Sequence, residues 1–472
     1  MMSSEQQGSQ RGLGSSLRRL KATSRDRRTS RKKGPPVNSA AASHELNDKY
    51  MDAMEEAFQS MSSKENIDFQ EPRTKEGEVR GSSNKCPVLH QGHQPLKTAL
   101  GSKAGVARAV GRTAETEAPP KGQLPGAWCS GPKDRSGTKI DLSDRPSLCM
   151  DVRNDCAVIG SSDHALYEVN FRKGKRTRKL YSKAYGHCEW VNAVKYFPDG
   201  KVLSAGLDSK LLLWHSSAVR ATELKGHSHS VSGIQVSPDG GVACSCSYDK
   251  TVKFWDISGL NGRESQSLRG HKAPVMEMAW RDHTLVSGSR DGALILWDVL
   301  KGKPKKAVGA AHQGHITALA LFDGRDDNLV LSGGQDGCLQ VRDQRLQDCL
   351  FEKYHHRRDG GAGAIGAIRC TADGNVVTMG ADKRICISDP RMSFEKVGAI
   401  SSNKDFIYSM ELMGDLVISG SGDGQVLVHD MRTGSCLYGL EGNQNAVRSL
   451  GVTDDFLVAS GDDGNVISYP MA

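Results

Sequence analysis

The sequence predicts an all-β chain, a closed ring of eight four-stranded sheets carried behind a basic, mostly disordered N-terminal arm. Two observations predict it. From Leu148 onward one pattern recurs eight times: an alternating apolar strand, a strand of small residues, a tight turn with Asp, then a further apolar strand. The turn aspartates are Asp163, Asp208, Asp249, Asp291, Asp336, Asp382, Asp423 and Asp463, spaced by 45, 41, 42, 45, 46, 41 and 40 residues, the period of a four-stranded blade. Upstream, residues 1–137 hold nine of the sixteen prolines and no long apolar run. Such a segment cannot bury enough apolar surface to offset the entropy of ordering it. The expected division is therefore an arm, 1–137, and a ring, 138–472.

Closure of the ring requires an outer strand from before the first repeat, and Lys139 to Leu142 is the natural candidate to complete the last blade. Joining both ends in one sheet removes edges that would otherwise pair with other chains. Seven blades with an irregular flank is the alternative count. The weakest copy is the first, VIGSSDHALYEVN at 158–170, which has neither Trp nor a preceding Gly-His.

The best copy reads LVSGSRDGALILWD (285–298), preceded by Gly270-His271 and followed at the next blade by Gly314-His315; CSCSYDKTVKFWD (244–256) and LSAGLDSKLLLWH (203–215) are close to it. These repeats resemble the WD-repeat β-propeller family. The resemblance implies that each Gly-His histidine links a turn Asp to a strand Trp across its blade. The matching sets are His187, Asp208 and Trp214; His227, Asp249 and Trp255; and His271, Asp291 and Trp297. It also implies that the residue before the turn Asp, and the residues entering each inner strand, line one rim of the central channel. Carried over by position, this partner-binding set includes Trp190, Tyr248, Arg290 and Gln335, and Trp, Tyr and Arg are the types that most often anchor interfaces.

Chemistry is scarce. Twelve cysteines lie without a C-x-x-C pair, so no metal site is expected and free thiols in a reducing compartment are the simplest reading. No apolar stretch approaches 18 residues and no signal peptide is expected, which argues against a membrane span or secretion. Gly361-Ala362-Gly363-Ala364-Ile365-Gly366 is formally G-x-G-x-x-G with Asp382 downstream, but the following residues alternate like strands, whereas a dinucleotide site needs a helix there. With the turn aspartates accounted for by the repeat, no catalytic set, cofactor or enzymatic activity is expected.

The arm carries the charge. Residues 1–34 hold ten Lys or Arg against Glu5 and Asp26, which accounts for the whole formal net charge of +8. Attraction to nucleic acid or an acidic surface is therefore expected from residues 11–33 and not from the ring. The two clusters, Arg18 to Lys21 and Arg25 to Lys33, read either as a bipartite nuclear-import signal or as a nonspecific contact to RNA or an acidic surface. Ser30 follows Arg27-Arg28-Thr29 as a candidate phosphosite whose modification would weaken either role. Residues 43–61 read as a short amphipathic helix, marginal alone and suited to folding on a partner groove or on the propeller. Lys64-Glu65-Asn66 resembles the KEN degron read by the anaphase-promoting ubiquitin ligase, with a plain spacer as the alternative.

The function expected is a non-catalytic scaffold or adaptor that binds other proteins in the nucleus, the cytoplasm or both. The alternative is a substrate receptor of a cullin-RING ubiquitin ligase, suggested by the D-x-R endings Asp343-Gln344-Arg345, Asp389-Pro390-Arg391 and Asp430-Met431-Arg432. An Asp and Arg pair bracing the outer strand is the plainer reading of them. A third class is nucleic-acid association through the arm.

Overall fold

The computed structural model describes residues 126–471 except 183, 260, 323–327, 346–347 and 359–360. Ser30, the 43–61 segment and Lys64-Glu65-Asn66 lie outside the described residues. The repeats form eight four-stranded antiparallel sheets. Their inner strands are Ser147–Arg153, Val191–Tyr196, Val231–Val236, Val275–Arg281, Ile316–Leu321, Ile365–Cys370, Ile407–Met413 and Val447–Val452, which begin blades 1 to 8. The first copy, weakest by motif, is a full blade. Val169 stands where better copies carry Trp, and two residues before it the Tyr167 phenol donates to the turn carboxylate of Asp163.

Each blade packs on the next through residues of the two facing sheets. One core cluster joins Tyr167, Val169 and Phe171 of blade 1 to Val458 and Val466 of blade 8, and another joins Leu211 and Leu213 to Val231 and Trp255. Every inner strand is bulged at its second residue. The bulge frees that residue from the ladder, and three of them reach forward: Asn192, Ser232 and Thr317 donate to the carbonyls of Val231, Val275 and Ile365 on the following blade. At these three junctions a polar side chain packed between blades is thus matched by a hydrogen bond.

Thr138–Asp141 closes the circle by pairing antiparallel with the last strand of the chain, from Thr138 opposite Ser468 to Asp141 opposite Asn465. The folded unit starts earlier than the sequence boundary at 138. A short helix, Gly126–Ser130, seats Trp128 with no exposed surface among Met413, Leu416, Tyr438, Leu457 and Met471 of blades 7 and 8. The Trp128 indole N–H donates to the Asp454 carbonyl at 2.9 Å, and the Trp128 carbonyl accepts from the Tyr438 hydroxyl at 2.7 Å. Residues 126–137 therefore belong to the propeller and not to the arm. The glycine-rich G-x-G-x-x-G stretch leads into the inner strand of blade 6, with Gly361–Ala362 paired to Arg357–Arg358.

Candidate functional site

Behind the rim, hydrogen-bond chains fix the turns that carry it. In blade 2 the Trp214 indole donates to the Ser204 hydroxyl at 2.9 Å, Ser204 lies 2.8 Å from His187 Nε2, and His187 Nδ1 lies 2.9 Å from Asp208. All contacts are satisfied if Trp donates to Ser, Ser to Nε2, and Nδ1–H to the carboxylate. Asp208 also accepts the Cys188 backbone N–H, tying the loop down. Blade 3 repeats the chain with Trp255, Ser245, His227 and Asp249 at 2.8, 2.7 and 2.7 Å. Burial works to raise the two carboxyls, but the histidine hydrogen bonds hold Asp208 and Asp249 below their ordinary range. Ser204 and Ser245 escaped the sequence reading although the small-residue strand was visible in it.

Blade 4, the best copy by motif, breaks the chain. Trp297 and His271 both bind Ser287, at 2.8 and 2.6 Å, yet His271 Nδ1 has no hydrogen-bond partner. Asp291 is exposed and accepts instead from the Ser289 hydroxyl and the Ala293 N–H. The expected His271–Asp291 link is not formed. The physical reason is competition: Ser289 stands where blade 2 has Gly206, and its hydroxyl captures the carboxylate. In blade 3 the equivalent Ser247 donates backward to the His229 and Ser230 carbonyls, which leaves Asp249 for His227. Burial without that partner pushes His271 down to about 4.

Two further histidines take the structural role unannounced by Gly-His. In blade 5 it is His312, 2.8 Å from Ser332 and 3.1 Å from Asp336, and not His315 of the Gly-His pair. In blade 6 it is His356, 2.8 Å from both Thr378 and Asp382. Burial acts to lower the His356 ring, but Asp382 beside it lifts it to about 9. Blade 7 has Asn403 bonded to Ser419 at 3.1 Å, and His429 at the Trp position is fully buried with neither ring nitrogen hydrogen-bonded.

The rim itself has eightfold regularity. The residue before each turn Asp donates its N–H to the residue that precedes the inner strand, at 2.8–3.0 Å in all eight blades: Ser162 to Pro146, Leu207 to Trp190, Tyr248 to Ser230, Arg290 to Pro274, Gln335 to His315, Ala381 to Ala364, Gly422 to Phe406 and Asp462 to Ala446. Tyr248, Arg290 and Gln335 are thus at equivalent places before the turn Asp, and Trp190 holds the facing place before an inner strand, each half-buried. Arg290 and Gln335 meet through His315: Arg290 Nε lies 3.3 Å from His315 Nε2, and the Gln335 amide oxygen accepts the His315 N–H at 3.4 Å. His315, displaced from the structural role, was missed as a rim residue. On the far side of the channel Arg448 forms a paired contact with Asp462 at 2.7 and 2.8 Å and lies 4.3 Å over the Tyr408 ring.

At the outer ends of blades 5 and 6, Arg345 and Arg391 fold back on Asp343 and Asp389, each with Nε at 3.0 Å and the terminal nitrogen at 2.7 Å. Arg432 departs from this and pairs with Asp415. Among the described residues, no group of three or more His, Cys, Asp or Glu converges as a metal site would require, and no helix is long and apolar enough to cross a membrane.

An eight-bladed ring with the Trp–Ser–His–Asp chain complete in blades 2 and 3 defines a β-propeller of repeated WD units. The family description "WD domain, G-beta repeat" matches residues 177–215, 219–256 and 262–298, so these three are WD repeats within an eight-bladed β-propeller. It is 23% identical over 292 residues to the ribosome biogenesis protein WDR12 homolog of Oryza sativa subsp. japonica, covering 52% of this chain and 64% of that protein. It is 22% identical over 303 residues to the guanine nucleotide-binding protein subunit beta of the same rice, covering 57% of this chain and 77% of that one. Among solved structures, Saccharomyces cerevisiae Sqt1 superposes with a TM-score of 0.64 at 13% identity, over 71% of this chain and 99% of Sqt1.

Proposed function

We propose that the protein is a non-catalytic interaction scaffold or adaptor whose main partner, another protein, docks on the rim sector of blades 2 to 5. The observation that carries this reading is the asymmetry of an otherwise regular rim. At these paired positions Trp190, Leu207, Tyr248, Arg290, His315 and Gln335 crowd blades 2 to 5 beside the smaller Ser230 and Pro274, whereas blades 6 to 8 carry Ala364, Ala381, Gly422 and Ala446 with Phe406 and Asp462. The Arg448 guanidinium there is tied down by Asp462 and Tyr408. Half-buried aromatic and guanidinium groups, held by neighbours, lose little side-chain entropy on binding and supply large contact areas. The relatives named for ribosome biogenesis and as a G-protein subunit fit a protein that works in assemblies. The arm, through residues 11–33 and 43–61, supplies targeting to nucleus or cytoplasm and regulation, with Ser30 and Lys64-Glu65-Asn66 as its control points. The back-folded Arg345 and Arg391 favour bracing over a ligase-docking role for the D-x-R endings.

The test is affinity capture with the full chain and its Tyr248→Ala and Arg290→Ala variants. Each should weaken binding of the main partner by roughly five- to 150-fold, as a hot spot of about 1–3 kcal/mol requires, with an unchanged melting temperature. Full retention by both variants would move the docking face to the opposite rim or the arm. Recovery of cullin-ligase adaptors would support the receptor reading instead.

A further inference from the structure

Charge neutrality of the ring as a whole conceals a local excess. Between Arg172 and Lys179 six of eight residues are Lys or Arg, and no acid follows before Glu189. This run forms the outer edge of blade 1, whose last strand is Lys175–Leu180. Part of its charge is matched: Arg172 pairs with Asp155 and Asp455 at 2.9 Å, Arg178 pairs with Glu168, and Lys179 lies 3.4 Å from Asp163. Arg176 donates to the Leu142 carbonyl and lies 5.7 Å over Tyr167. Lys173, Lys175 and Arg176 have no acidic partner among the described residues and are exposed.

Charge alone protects any outer strand from pairing with other chains, and Lys303–Val308 of blade 4, with Lys303, Lys305 and Lys306, is a strand of that kind. Blade 1 differs in carrying two exposed aromatics directly after its basic strand: Tyr181 is 43% and Tyr185 37% exposed. They flank a turn closed by the Ser182 N–H to the Tyr185 carbonyl at 2.7 Å and by the Tyr185 N–H to Ser182 at 3.2 Å. Gly186 packs so closely that a Cβ there would lie 2.7 Å from the Tyr181 ring. Lys179 Nζ stands 5.9 Å from the Tyr181 centroid. Edge protection requires no aromatic residue. Cations beside open, supported rings are what single-stranded nucleic acid requires, with phosphates on the cations and bases stacked on the rings. We propose that the outer face of blade 1, through Lys173, Lys175, Arg176, Lys179, Tyr181 and Tyr185, binds single-stranded nucleic acid.

The experiment is fluorescence anisotropy of a labelled 20-nucleotide oligouridylate titrated with the full chain over a range of KCl. The basic arm is common to every variant and so cancels. Lys173→Gln/Lys175→Gln/Lys179→Gln should weaken binding by about ten- to a hundredfold and flatten the salt dependence by about 2 in the log–log slope. Tyr181→Ala/Tyr185→Ala should weaken it about five- to tenfold or more with the slope unchanged. Lys303→Gln/Lys305→Gln on blade 4 should bind like the parent, and melting temperatures should match throughout. The proposal is overturned if the tyrosine variant binds like the parent, or if the blade 4 variant loses as much as the blade 1 variants. It is also overturned if a polyglutamate peptide binds as tightly as the oligonucleotide and is lost in the same variants, which would make the surface a site for acidic protein.

Discussion

At the scale of single residues, one side chain decides whether a repeat forms its full hydrogen-bond chain. The His, Asp and Trp of blades 2 and 3 could be named from motif alone because dipeptide and spacing mark them. The linking hydroxyls of Ser204, Ser245 and Ser287 could not, since a small residue on a buried strand has many reasons to be there. Blade 4 shows the limit of motif: its letters are the best, and yet Asp291 has a nearer donor in Ser289, a choice made in three dimensions. His312 displaces His315 for a similar reason, because the ring that reaches Ser332 is set by the path of the loop and not by the preceding glycine. The consequence is a contrast between two substitutions that sequence would treat alike. Asp249→Ala leaves His227 Nδ1 and the Ser228 N–H unpaired and should destabilise the fold by about 1–3 kcal/mol. Asp291→Ala removes only exposed turn contacts and should cost well under about 1 kcal/mol. Denaturant midpoints of the two variants provide the check, and equal losses would mean that the blade 4 carboxylate binds His271 in solution.

At the scale of elements, strand order and closure were legible because alternation, small-residue strands and a turn Asp recur at a fixed interval, and the pairing of residues near 139 with the last strand follows from the need to close the ring. The start of the folded unit was not legible. The segment before Thr138 has no periodicity, and its attachment rests on Trp128, a lone aromatic in a Pro- and Gly-rich context. Gly131, with φ of +79°, lets the chain turn against the face of the Tyr438 ring, 3.1 Å from where a Cβ would lie. The Glu441 N–H then donates to the Arg135 carbonyl. This strap covers the junction of blades 7 and 8, next to the seam where the ring closes. Trp128→Ala empties a fully buried indole site and should cost about 3–5 kcal/mol. A chain beginning at Thr138 should lose as much, while one beginning at Gly126 should melt with the parent. Equal melting temperatures for all three would show that the strap contributes nothing to the closed ring.

At the scale of the whole molecule, stability should depend on pH through a few buried imidazoles. Burial pushes His271 and His429 down to about 4, and burial together with the neighbouring His356 does the same to His355. An unfolded chain protonates each near pH 6.5, so between about 6.5 and 4 the unfolded state binds up to three protons that the folded state refuses. Stability from these groups is complete above 6.5 and is lost as the pH falls through that window, by about 1.4 kcal/mol per pH unit for each proton. His356 runs the other way. Raised to about 9, it contributes fully below 6.5 and loses its contribution as the pH rises through 9. The propeller should therefore be most stable near neutrality and should weaken before the low-lying turn carboxylates titrate. His429, with no hydrogen bond to either ring nitrogen, isolates the effect. His429→Phe fills the Trp position of blade 7 with an apolar ring and removes one proton from the linkage. Its advantage over the parent should grow between pH 7.5 and 5, read as the difference in denaturant midpoints converted to free energy. Parallel pH profiles for the two proteins would show that His429 takes up its proton equally well in the folded state.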